Sequence, residues 1–101
     1  AYALMHVYLA MFEGQAVTQQ NKNELIKRYG YSSGEQLRNE FTSYQNEEKR
    51  LELNTTNKKS ANTHLERYNR ILPLLEKQNT KAFEAAKKDF EHLKKEYKKY
   101  Y

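Results

Sequence analysis

Cysteine is absent from this chain of 101 residues, proline occurs once and glycine three times. Without cysteine there can be neither a disulfide framework nor a thiolate metal site, which suits a protein kept in the reducing cytoplasm. So few breakers exclude an all-β chain, which would need many turns. Long hydrophobic runs are missing too. The longest, Ala1–Phe12, is too short to span a bilayer and has no basic leader, so no membrane partner is expected and the segment reads as a buried helix. What remains is 38% hydrophobic residues beside 31% charged ones. That is too apolar for a disordered chain, and helix is the natural reading. The length suits one domain, 1–101, with a core just large enough to stabilise itself. The chain starts at Ala1 rather than Met, the expectation for a piece of a longer protein.

The periodicity predicts five helices. In the first, Leu4, Met5, Tyr8, Met11 and Phe12 recur at helical spacing while Val7 and Leu9 make it apolar nearly all round, until Glu13-Gly14 ends it. Thr18 or Asn21 offers a cap for a second helix reaching Tyr29, with Leu25, Ile26 and Tyr29 facing inward. Gly30 breaks it, Tyr31 returns to the core, and Ser32 or Ser33 caps a third helix with Leu37, Phe41 and Tyr44 on one stripe. That helix is expected to continue through Leu51 and Leu53, before a loop over 54–60. The spacing of Ala61, Leu65, Tyr68, Leu72 and Leu75, and of Phe83, Ala86, Phe90, Leu93, Tyr97 and Tyr100, predicts an antiparallel helical hairpin over 60–101. Pro73 predicts a kink or an end near Leu72, with Asn79 or Thr80 capping the last helix. The expected architecture is all-α: a helix-turn-helix-like unit, 1–53, packed on this C-terminal hairpin.

The segment 23–41 carries the functional signal, because a short helix, a glycine turn and a serine-capped helix outline a helix-turn-helix. In that reading Ser33, Gln36, Arg38, Asn39 and Thr42 face base edges: Arg suits guanine, Asn or Gln suits adenine. The turn Gly30–Ser33 is one residue longer than in the common motif, and two core helices joined at a glycine would show the same spacing. The net charge of +5 is unevenly placed. Residues 1–53 hold six Lys/Arg against seven acids, while 54–75 and 76–101 carry an excess of three positive charges each. Phosphate contacts therefore fall to Lys58, Lys59, Arg67 and Arg70.

Other chemistry finds little support. His6, His64 and His92 lie far apart without metal-ligand spacing, and there is no phosphate loop, nucleophile elbow, or acid and base pair set in an apolar pocket. No cofactor and no enzymatic activity are expected. Asn54-Thr55-Thr56 matches a glycosylation acceptor, taken as chance without a secretion signal. Nine tyrosines could offer stacking platforms for single-stranded nucleic acid, but Tyr8, Tyr29, Tyr44, Tyr68 and Tyr97 fall on core stripes, and only Tyr2, Tyr100 and Tyr101, near chain ends that are usually mobile, are free for other work. If the last helix outruns its partner, Tyr97 and Tyr100 offer contacts to a second copy or another protein, the alternative to DNA binding.

The string Ile26-Lys-Arg-Tyr-Gly-Tyr-Ser-Ser-Gly-Glu-Gln-Leu37, preceded by Leu4–Gly14 and followed by Leu65–Leu75, resembles helical domains of Bacteroidetes proteins, including the RteC family of conjugative-transposon regulators. The resemblance covers about residues 2–75. It implies an α-helical domain with a helix-turn-helix or winged-helix-like unit, binding to double-stranded DNA, and control of mobile-element excision. The acidic stretch Gln45–Arg50 and the Lys/Glu-rich tail depart from that pattern.

Overall fold

The computed structural model describes residues 2–14, 20–29 and 34–101, with the backbone alone for residues 2, 25, 26, 28 and 29. Within these lie six helices: α1 (Tyr2–Glu13), α2 (Lys22–Tyr29), α3 (Gly34–Gln45), α4 (Glu47–Leu51), α5 (Lys58–Gln78) and α6 (Thr80–Tyr100). No strand occurs among the described residues. The expected Thr18 cap, Gly30 break, return of Tyr31 to the core and serine caps lie outside the described residues, as do the inward side chains of Leu25, Ile26 and Tyr29.

The first helix is the hub because its sequence is apolar on every side. Every residue from Ala3 to Leu9 is buried, His6 included. One side of α1, through Leu4, Met5, Tyr8 and Leu9, packs into a core with Tyr68, Ile71 and Leu75 of α5 and Ala86, Phe90 and Leu93 of α6. Its other side, through Ala3 and Val7, meets Leu37 and Phe41 of α3. The burial therefore stabilises both faces of one helix, and polar substitution anywhere along Ala3–Leu9 would remove apolar area from one core or the other. Met11 and Phe12, expected to face inward, are half-exposed in the last turn, where Glu13 accepts from Asn79 Nδ2 at 3.2 Å. Gly14 ends it with φ of +72°, its N–H donating to the Ala10 carbonyl at 3.1 Å. A side chain there would be strained in this left-handed conformation, which glycine adopts freely.

Asparagines set the remaining boundaries. The third helix stops at Gln45 instead of continuing to Leu53, because the Asn46 side chain accepts from the Lys49 N–H at 3.2 Å and starts the separate α4. A sixth helix, where five were expected, results. Asn57 caps α5 by accepting from the Ser60 N–H, so Lys58, Lys59 and Ser60 are helical rather than loop. Asn79 does two jobs: its N–H donates to the Leu75 carbonyl at 2.8 Å, and its side chain accepts from the Ala82 N–H at 3.0 Å. It thereby closes one helix and opens the next.

Pro73 does not end the helix near Leu72, since α5 runs on to Gln78. The proline is exposed, while Ile71 and Leu75 on either side are fully buried. Burial of two large aliphatic side chains, roughly 1.5–3 kcal/mol each, offsets a proline cost of about 3 kcal/mol. From Asn79, α6 packs along α5, and its end returns to the segment before α5, where the Tyr101 hydroxyl donates to the Asn54 carbonyl at 2.6 Å.

Candidate functional site

Two arrangements of polar groups stand out, one on the surface of α3 and α5 and one inside. On the surface, burial of Gly34, Leu37 and Phe41 fixes which side of α3 faces outward. Gln36, Asn39 and Thr42 are exposed on that side and Arg38 is half-buried; Ser33 lies outside the described residues. The Thr42 hydroxyl donates back to the Arg38 carbonyl at 2.9 Å, which leaves its lone pairs outward. Glycine at position 34 lets α2 come close, since a Cβ there would sit 2.7 Å from Asn23 Oδ1 and 3.1 Å from Lys22 Cγ. The same approach pairs Lys22 with Glu35. The acidic stretch Gln45–Arg50 belongs mostly to α4. Helix α3 itself carries Glu35 and Glu40 against Arg38, and Glu35 is paired.

Of the four basic residues assigned to phosphates, Arg67 is the one the structure joins to α3. Its guanidinium donates to the Tyr44 hydroxyl and lies 5.8 Å from that ring's centre. Arg70 is exposed one turn further along, and a shallow depression runs between Thr63, Glu66, Arg67 and Arg70. Lys58 and Lys59 are exposed in the first turn of α5. At 1.5 Å per residue they stand roughly 12–14 Å from Arg67 along the helix. Lysines at a helix N-terminus oppose the helix dipole, so helix stability does not account for them.

No protein-family model matches the chain, and neither curated proteins nor solved structures give a match. The reading of the site therefore rests on its own geometry.

Inside, the chain assembles a polar network that the sequence reading did not foresee. The Tyr8 hydroxyl donates to Asp89 Oδ2 at 2.5 Å, and its oxygen lies 2.7 Å from the Tyr68 hydroxyl. Because the Tyr8 proton goes to the carboxylate, Tyr68 is the donor in the second bond. Arg50, almost fully buried, lies with its guanidinium 5.3 Å from the Tyr8 ring centre, donates to the Tyr44 carbonyl at 3.1 Å, and places Nε 3.7 Å from Asp89 Oδ2. That last separation is an ion pair rather than a hydrogen bond. His64 joins through Nε2, which donates to the Arg50 carbonyl at 2.8 Å. Its ring meets Tyr68 edge to face at 5.7 Å, and Tyr68 stacks on Phe90 at 5.9 Å.

The electrostatics follow from burial. Tyr8 is pushed far above the ordinary tyrosine range, first by desolvation and then by Tyr68 and Asp89, and Tyr68 is raised for the same leading reason. Both remain neutral donors, unsuited to nucleophilic work. Tyr44 is also raised by burial, with Arg67 opposing. His64 is lowered, chiefly by desolvation and further by the nearby Arg67 charge, so the neutral ring donates to a carbonyl. Among the described residues no group of three or more His, Asp or Glu is arranged to hold a metal ion, and no helix is long and apolar enough to cross a membrane.

The network links α1, α4, α5 and α6 through groups up to 81 residues apart in sequence. No local spacing could reveal it. The only hint was Tyr8 and Tyr68 on core stripes, where a buried hydroxyl needs a partner. Asp89 follows two lysines in the sequence, yet its carboxylate is turned inward to Tyr8.

Proposed function

We propose that this chain is a non-enzymatic module that binds duplex DNA, with the outer face of α3 toward base edges and the basic residues of α5 on phosphates. The observation that carries the reading is that α3 buries Leu37 and Phe41 while leaving Gln36 and Asn39 exposed, with Arg67 tied to its Tyr44. A helix held rigidly by its back and flanked by cations is what groove reading needs. Gln36 and Asn39 supply the paired donor and acceptor that suit adenine, Arg38 suits guanine, and Ser33 and Thr42 complete the assigned set. Lys58, Lys59, Arg67 and Arg70 position the module on the backbone. The hairpin of α5 and α6 and the buried Tyr8–Asp89–Arg50 network act as the scaffold that orients α3. The resemblance to RteC-type regulators points the same way, toward transcription or excision control of a mobile element in the cytoplasm.

Two double variants test the assignment. Lys58→Glu with Lys59→Glu weakens binding to every duplex and flattens its salt dependence. Gln36→Ala with Asn39→Ala weakens binding only to a duplex selected from a random pool, by about tenfold or more. Equal behaviour of the two variants on all sequences would overturn the base-facing assignment. Assembly that changes with Tyr97→Ser and Tyr100→Ser, with no DNA affinity in the parent, would support the protein-interaction alternative instead.

A further inference from the structure

The far end of the α5 and α6 pair brings Lys58 and Lys59 together with tyrosines and lysines that the duplex-reading face does not use. The hydrogen bond from Tyr101 to the Asn54 carbonyl closes the last turn of α6 onto the segment leading into α5. Tyr100 is 50% exposed and Tyr101 39% exposed, two of the few large hydrophobic side chains left open among the described residues. The rings of Tyr97 and Tyr101 lie 5.1 Å apart, and Lys99 Nζ sits 5.7 Å from the Tyr100 ring centre. Within residues 52–59 and 95–101 there are five lysines, Lys58, Lys59, Lys95, Lys98 and Lys99, against Glu52 and Glu96. All five are exposed.

We infer that this end of the molecule is a binding site for single-stranded nucleic acid, with Tyr100 and Tyr101 as stacking platforms and the lysines on the strand's phosphates. Partly exposed aromatic side chains beside clustered cations fit a strand whose bases are unstacked, because a duplex offers no free base face. Lys98 and Lys99 alone would also suit the C-terminus of a helix. Lys58 and Lys59 have the opposite relation to their helix, so a shared polyanion explains both pairs where helix stability explains one. The lysines at 58 and 59 also serve the duplex reading, which uses neither tyrosine.

Tryptophan is absent from the chain, so Tyr100→Trp introduces a single reporter. Its emission is expected to be quenched on titration with a short oligothymidylate, and far less with a mixed-sequence duplex or polyglutamate at equal phosphate or carboxylate. Tyr100→Ala, at an exposed position, keeps the far-ultraviolet circular dichroism of the parent and loses about tenfold in oligothymidylate affinity. Gln36→Ala with Asn39→Ala leaves that affinity unchanged, which separates this site from the α3 face. Unchanged emission, equal quenching by duplex, or full affinity in Tyr100→Ala would overturn the proposal.

Discussion

Replacing Tyr8 by Phe removes one oxygen and tests whether the buried network holds the helices together. The Tyr8 hydroxyl makes a 2.5 Å bond to a carboxylate and receives a 2.7 Å bond from Tyr68, both lost in the variant. A hydrogen bond to a charged acceptor contributes about 1.5–3 kcal/mol, and a buried donor left without a partner costs about 1–3 kcal/mol. Tyr68 has 0% exposure, so its hydroxyl has no water to turn to. The two effects share one atom and are not additive; about 3 kcal/mol of destabilisation is expected. For a domain of this size that lowers Tm by roughly 10–20 °C. The sharper test is the second step. Tyr68→Phe made in the Tyr8→Phe background removes the stranded hydroxyl, so the double variant should be more stable than the single one by about 1 kcal/mol. Urea unfolding followed by circular dichroism measures both steps. A Tyr8→Phe cost below about 0.5 kcal/mol, set against the hydrogen-bond magnitudes above, would refute the reasoning.

Pro73 is exposed within a continuous α5, so Pro73→Ala restores a helix donor without losing packing and should stabilise by about 1–3 kcal/mol; thermal unfolding reads it, and no change would mean that the helix already accommodates the ring. His64 gives the acid dependence: its folded pKa lies below the ordinary 6.5, so the unfolded chain binds the extra proton first. The stability contributed by its neutral form is complete above about 6.5 and is lost as pH falls below that value. His64→Gln should flatten the stability profile in this window, as measured by urea unfolding at successive pH values, and an unchanged slope would assign the acid loss elsewhere.

Much of the fold was legible because helical periodicity is local. Apolar steps of three and four placed the last two helices, though Tyr100 on the expected stripe is exposed and Ile71 outside it is buried, and Asn79 was one of the two residues named as the cap because a side-chain acceptor preceding a helix is a local requirement. The misses have physical causes. Asn46 has the chemistry of a cap, yet the surrounding charged run gave no break in period, so α4 merged into α3. Pro73 was weighed by its own cost, without the burial of Ile71 and Leu75 that only the tertiary structure reveals. Met11 and Phe12 share the stripe of Leu4 and Tyr8 yet are half-exposed, which periodicity alone does not reveal. For the candidate site, the outward side of α3 followed directly from its apolar stripe, whereas the contact of Arg67 with Tyr44 and the pairing of Lys22 with Glu35 required the fold. The joining of Tyr8, Asp89 and Arg50 could not be read from the sequence, since these three come from separate helices.

The central claim, duplex binding through α3 and α5, is tested most directly by a titration of the chain with a mixed duplex pool across salt concentrations, with polyglutamate present as a competing polyanion. Four phosphate contacts, from Lys58, Lys59, Arg67 and Arg70, predict a slope of log affinity against log salt of about −3 to −4. Binding with that slope that survives polyglutamate is the result expected. Absence of binding at low salt, or complete displacement by polyglutamate, would contradict the account.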